Sequence, residues 1–95
     1  MQNKQDYEAQ LNSNFVIELD EGELNLELVE VSSVVAEKTE TGQAEPFSAL
    51  FRSDRQEGLE QGVYTLKHAE QGDITLFVVP IGPDDVGMRY EAIFT

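Results

Sequence analysis

The chain has 95 residues, no cysteine, and 19 acidic against 6 basic side chains, for a net charge of −13. Such a length supports one domain with a thin core, folding burying roughly 64% of the surface the unfolded chain exposes, and the lack of cysteine removes disulfides, thiolate catalysis and thiolate metal sites together. The charge repels phosphate backbones and anionic headgroups, so neither nucleic acid nor a membrane surface is expected as a partner.

From Met1 to Asp6 there is no apolar run of the kind a signal peptide needs. No stretch approaches the ~20 apolar residues of a membrane span, and a cytoplasmic protein is expected. Asn3 to Asn12 predicts a short helix with Asn3 or Asp6 as its N-cap and with Tyr7 and Leu11 on one face. So short a helix holds only if those two side chains dock on a sheet. Residues 1–14 are therefore read as an N-terminal segment and 15–95 as a single all-β domain.

Phe15, Ile17 and Leu19 alternate with outward residues, the turn composition of Asp20 to Glu23 follows, and Leu24, Leu26 and Leu28 resume the alternation. Two such runs around a Gly-bearing turn make a hairpin. Past Leu28 the apolar phase slips to Val29 and Val31, the mark of a β-bulge, and the strand is continued through Val34 and Val35. Residues 37–43 are polar and aperiodic, as in an exposed connection. Pro46 then opens a strand with Phe47, Ala49 and Phe51 on one face, proline being tolerated at a strand start.

A polar turn from Ser53 to Gly58 leads to a strand with Tyr64, Leu66 and His68 on one face. Beyond Gly72, Ile74, Leu76 and Val78 share a face, while Phe77 and Val79 make the other face apolar too, as in a central strand covered from both sides. Pro80 ends that run and residues 81–87 form a loop. The last strand sets Met88, Tyr90, Ala92 and Phe94 against Arg89, Glu91 and Ile93. About six antiparallel strands in a meander, with a short N-terminal helix, predict a small curled barrel or a two-layer sandwich.

The motifs running from Pro46 to Arg52, Gln61 to His68, Gly72 to Gly82 and Met88 to Phe94, in that order, resemble a small bacterial family described as domain of unknown function 6916. The resemblance covers roughly residues 15 to 95, with 20–45 matching as a hydrophobic pattern. It implies a self-standing domain with no assigned enzymatic activity. It also implies relatives encoded beside phage-tail-collar-like proteins, and so an accessory role in a tail-like or surface assembly. It carries over no catalytic residue.

Candidate chemistry is sparse. His68 is the one histidine, and Ser48 or Ser53 would have to serve as nucleophile without an oriented acid or an oxyanion elbow. The plainer reading of His68 is a strand-end residue satisfied by a turn carbonyl. Asp84 and Asp85, between Gly82-Pro83 and Gly87 and joined by Asp20 or Glu21, are candidate ligands for a hard cation such as calcium, against the plainer reading of a turn. Arg52, Arg89 and Glu91 are candidates for a cross-strand ion pair or partner contact, the pair contributing ~0.2–1 kcal/mol if exposed. Phe47, Phe51, Tyr64, Phe77, Tyr90 and Phe94 read as core, with an aromatic ligand cavity as the alternative.

These features predict a non-enzymatic interaction or assembly module without a cofactor, acting on a protein partner through an open strand edge or a loop surface. A strand edge would also serve a homo-oligomer. The alternative is a β domain that binds a small molecule or divalent cation through residues 82–87.

Overall fold

The computed structural model describes residues 4–20, 22–33, 47–55 and 58–94. Within them a helix, α1 (Lys4–Glu8), precedes β1 (Asn14–Leu19), β2 (Gly22–Ser33), β3 (Phe47–Ser53), β4 (Gly62–His68), β5 (Gly72–Pro83) and β6 (Met88–Phe94). The strands close into an antiparallel barrel in the order β1-β2-β3-β6-β5-β4. Val34, Val35, the polar connection 37–43 and Pro46 lie outside the described residues. No helix among the described residues is long and apolar enough to cross a membrane.

Consecutive pairing holds within β1-β2-β3 and within β4-β5-β6, and breaks between the two sets. β3 takes β6 as its second neighbour and β4 returns to β1. The link after β3 explains the break: Met88 N donates to Arg55 O at 2.7 Å and Leu59 N to the Tyr90 hydroxyl at 2.7 Å. These bonds carry the chain across the start of β6 and away from β3.

Two bulges bend the long strands. In β2 the register passes from Leu28↔Phe51 to Glu30↔Leu50, leaving Val29 unmatched, where the apolar phase slips. In β5 it passes from Pro80↔Tyr90 to Gly82↔Arg89. The strand therefore runs on to Pro83 instead of stopping at Pro80, because a bulge at Ile81 tolerates a proline that lacks a ladder donor. Gly82 supplies the positive φ of 106° that this bend uses.

The core lies inside the barrel. Phe15, Leu26, Phe51, Leu66, Val78 and Tyr90 are all fully buried, and Phe15 meets Phe51 edge-on at 5.4 Å. Phe77 departs from the expected core, with 53% of its surface exposed on the outer wall. A closed barrel has a single interior, so a strand apolar on both faces must show one of them to solvent or to a partner.

At one end α1 closes the barrel. Tyr7 is buried against Phe47 and Phe94, with ring centroids 5.6 and 4.9 Å away, and those two rings stack at 4.5 Å as cross-strand partners. The helix is shorter than its polar and apolar spacing predicts. Asp6 sits within it, Asn3 lies outside the described residues, and Leu11 is 38% exposed instead of docked beside Tyr7. After α1 the chain joins β2 instead: Asn12 N donates to Leu28 O at 2.7 Å and Leu28 N to Ser13 O at 3.1 Å.

Candidate functional site

The register sets Asn14 opposite Glu27, Glu27 opposite Arg52, and Arg52 opposite Arg89, a polar row across the outer wall of four strands. Beside it lies a groove of about 440 Å³ lined by Asn14, Asn25, Glu27, Arg52, Ser53, Asp54 and Val86. Arg52 is its central charge. Its Nη1 donates to Asp84 Oδ2 at 3.2 Å and its Nη2 lies 3.8 Å from Glu27 Oε1.

The expected cluster of Arg52, Arg89 and Glu91 separates. The two arginines face each other, but Arg89 Nε donates to the Gly82 carbonyl at 3.3 Å, while Glu91 stands between Leu50 and Val79. Like charges directly opposed are unfavourable unless each is neutralised elsewhere. Glu27, Asp84 and the Gly82 carbonyl do this.

Asp84 is held by several bonds at once. Its Oδ1 accepts the N–H groups of Val86 at 2.8 Å and Gly87 at 3.0 Å, and its own N donates to Gly87 O at 2.9 Å. Those main-chain donors, Gly87 first, and then Arg52 hold its carboxyl at about 2, against an ordinary 3.8. With both oxygens engaged, the residue is a turn-former and an ion-pair partner. Asp85 is exposed next to it, Glu21 lies outside the described residues, and among the described residues no three acidic or histidine side chains come together as a metal site.

Among the described residues His68 and Ser53 are buried polar side chains, and both are tied to main chain. His68 Nδ1 accepts the N–H groups of Glu70 at 3.0 Å and Gln71 at 3.1 Å, so its ring proton sits on Nε2. The strand-end reading holds, with turn amides in place of a turn carbonyl. Ser53 Oγ donates to Arg55 O at 2.9 Å. Ser53, Leu26 and Phe15 follow one another across β3, β2 and β1, and the Phe15 ring packs on His68 at 4.8 Å. Two apolar side chains thus separate the hydroxyl from the imidazole along this rung. Ser48 lies on the opposite face of β3 from the buried residues.

The outer wall carries apolar side chains that the residue pattern assigns to a covered face. Val63 on β4 and Phe77 on β5 are directly opposed, 66% and 53% exposed, and Ile93 on the next strand, β6, is 59% exposed. The apolar other face of β5 is the signal that points to them. Glu27 and Asn25 in the groove carry no such signal, because their position depends on pairing with distant segments.

A family profile described as Domain of unknown function (DUF6916) matches residues 3–94, which takes in α1 as well as the barrel. No curated protein and no solved structure matches the chain.

Proposed function

The chain belongs to the family described as Domain of unknown function (DUF6916), and we propose that it is a non-enzymatic protein-interaction or assembly module. One observation carries this reading: the opposed pair Val63 and Phe77, extended by Ile93, stands open on the outer wall of a barrel with a net charge of −13. Exposed apolar side chains grouped within a polar surface mark binding sites. The interior fits the same reading, since apolar side chains cluster there and, among the described residues, no buried side-chain donor or acceptor lacks a partner. The cation reading is weaker, because a metal ion would have to take Asp84 from Arg52 and two amides.

The test is affinity capture from the lysate of the source cell, comparing the wild-type domain with a Val63→Thr, Phe77→Thr variant that keeps the wild-type circular dichroism spectrum. The expected result is a defined set of proteins held by the wild type and lost by the variant. Identical captures from the two proteins would sink the outer-wall reading.

A further inference from the structure

The barrel is closed, so its outer wall offers a partner side chains and no strand edge. On that wall Glu91 of β6 stands between Leu50 of β3 and Val79 of β5, all three half-buried. Opposed residues of antiparallel strands share a face, as do alternate residues along one strand. Ile93 and Phe77, the next outward residues beyond Glu91 and Val79, therefore extend the same surface, and Val63 opposite Phe77 widens it. The result is an apolar patch with one carboxylate set into it. Among the described residues Glu91 forms neither a hydrogen bond nor an ion pair, and Arg89, on the same face of β6, donates to the Gly82 carbonyl instead.

Resting on the outer-wall reading above, we propose that this patch docks an amphipathic helix of another protein, one whose apolar stripe carries a single arginine or lysine that pairs with Glu91. A helix satisfies its own main chain, so it asks of the wall only what the wall has to give. At the usual strand spacing β4, β5 and β6 together span about 10 Å, the width of one helix. The cation follows from Glu91: a carboxylate covered by a docked apolar surface is costly unless that surface brings its counter-charge. A second copy of this chain is poorly fitted to supply it. Its charge is −13, and its described basic side chains are engaged at home, Lys4 with Glu8, Arg52 with Asp84, Arg55 with the Glu23 carbonyl, Lys67 with Glu18 and Arg89 with the Gly82 carbonyl.

The probe is a fluorescent peptide, Ala-Gln-Ala-Ala-Leu-Leu-Gln-Ala-Arg-Ala-Gln-Leu-Leu-Ala-Gln-Ala, blocked at both ends, stapled into a helix on its polar side and followed by anisotropy with the full chain. Its arginine is ringed by leucines one turn away on either side, the counterpart of Glu91 in its apolar surround. A second peptide carries neutral citrulline in place of the arginine. On the wild-type chain the citrulline peptide is expected to bind about tenfold weaker. Glu91→Gln, checked by circular dichroism, is expected to lower the arginine peptide to the citrulline level and to leave the citrulline peptide unchanged. Phe77→Thr is expected to weaken both peptides.

Absence of arginine-peptide binding, or a preference for arginine over citrulline that survives Glu91→Gln, overturns the helix site, since in the second case the overall charge and not Glu91 reads the cation. So does sedimentation showing a dimer that Phe77→Thr dissociates, because the wall would then face a second copy. If the peptide fails while lysate capture still depends on Val63 and Phe77, the helix site falls and the interaction reading stands. If capture is indifferent to those two residues, both fall, whatever the peptide does.

Discussion

Gly87 lies so close to Ser53 that a Cβ built on it would stand 2.8 Å from the Ser53 carbonyl carbon and 3.0 Å from Arg55 N. Both obstacles are main chain, fixed by the bond from Met88 N to Arg55 O at 2.7 Å, so neither can turn aside as a side chain would. Gly87→Ala is expected to cost about 1–3 kcal/mol, the usual range for overpacking. At Gly62 a Cβ would meet its nearest neighbour, the Tyr64 ring, at 3.7 Å, an ordinary contact, and Gly62→Ala is expected to stay within ~0.5 kcal/mol of wild type. Urea denaturation of the two variants checks the contrast. Equal stabilities would mean that the 84–87 turn is not seated on the end of β3.

The Asp84 carboxyl titrates at about 2 in the folded chain instead of 3.8. A lowered folded value means that the ionised form favours the fold. Its contribution is complete above the ordinary value and is lost as the pH falls through about 2. Asp84→Asn is therefore expected to flatten the dependence of Tm on pH in the acid range. Arg52→Gln, which removes the smaller cause, should flatten it less than loss of the carboxylate does. Calorimetric scans through that range read both. Curves for the wild type and Asp84→Asn that run parallel would show that the turn does not depend on the charge.

Phe77 and Phe51 are both strand phenylalanines, yet one is 53% exposed and the other 0%. Phe77→Thr is expected to change stability by no more than ~0.5 kcal/mol, and Phe51→Ala to cost about 3–5 kcal/mol. Denaturant midpoints measure both. A core-sized loss at Phe77 would mean that another part of the chain covers the outer wall.

These positions also show how far residue order alone reaches. Alternation in Phe47, Ala49 and Phe51, or in Met88, Tyr90 and Ala92, identifies an inner face because a strand repeats every two residues. It cannot say which distant strand lies alongside, and the β3–β6 pairing depends on where the Arg55 and Leu59 bonds route the chain. The bulge after Leu28 is legible as a phase slip, whereas Pro80 conceals the one at Ile81 by mimicking a strand end. Asp84 reads correctly as a turn residue from its Gly-Pro and Gly neighbours. Its ion pair with Arg52 spans 32 positions and follows only from the closed register. Phe77 misleads because apolar residues on both faces read as double burial, which a single-walled barrel cannot provide.

Tyr7 ties the N-terminal helix to the barrel through Phe47 and Phe94. Burial, helped by the nearby Asp6 charge, pushes its phenol up to about 12, and burial raises the Tyr90 phenol as well. A raised folded value means that the neutral phenol favours the fold. That stability is complete below the ordinary value of 10.0 and is lost as the pH climbs through about 12. Tyr7→Phe keeps the ring contacts and deletes the ionisation, so its Tm is expected to fall less steeply than the wild type's above pH 10, with the residual slope due in part to Tyr90. Tyr7→Ala is expected to cost about 3 kcal/mol at neutral pH, the scale for removing a buried aromatic side chain. Thermal melts across the alkaline range separate the two effects. If Tyr7→Ala melts like the wild type at neutral pH, α1 contributes nothing to the barrel, and its burial there has no energetic consequence.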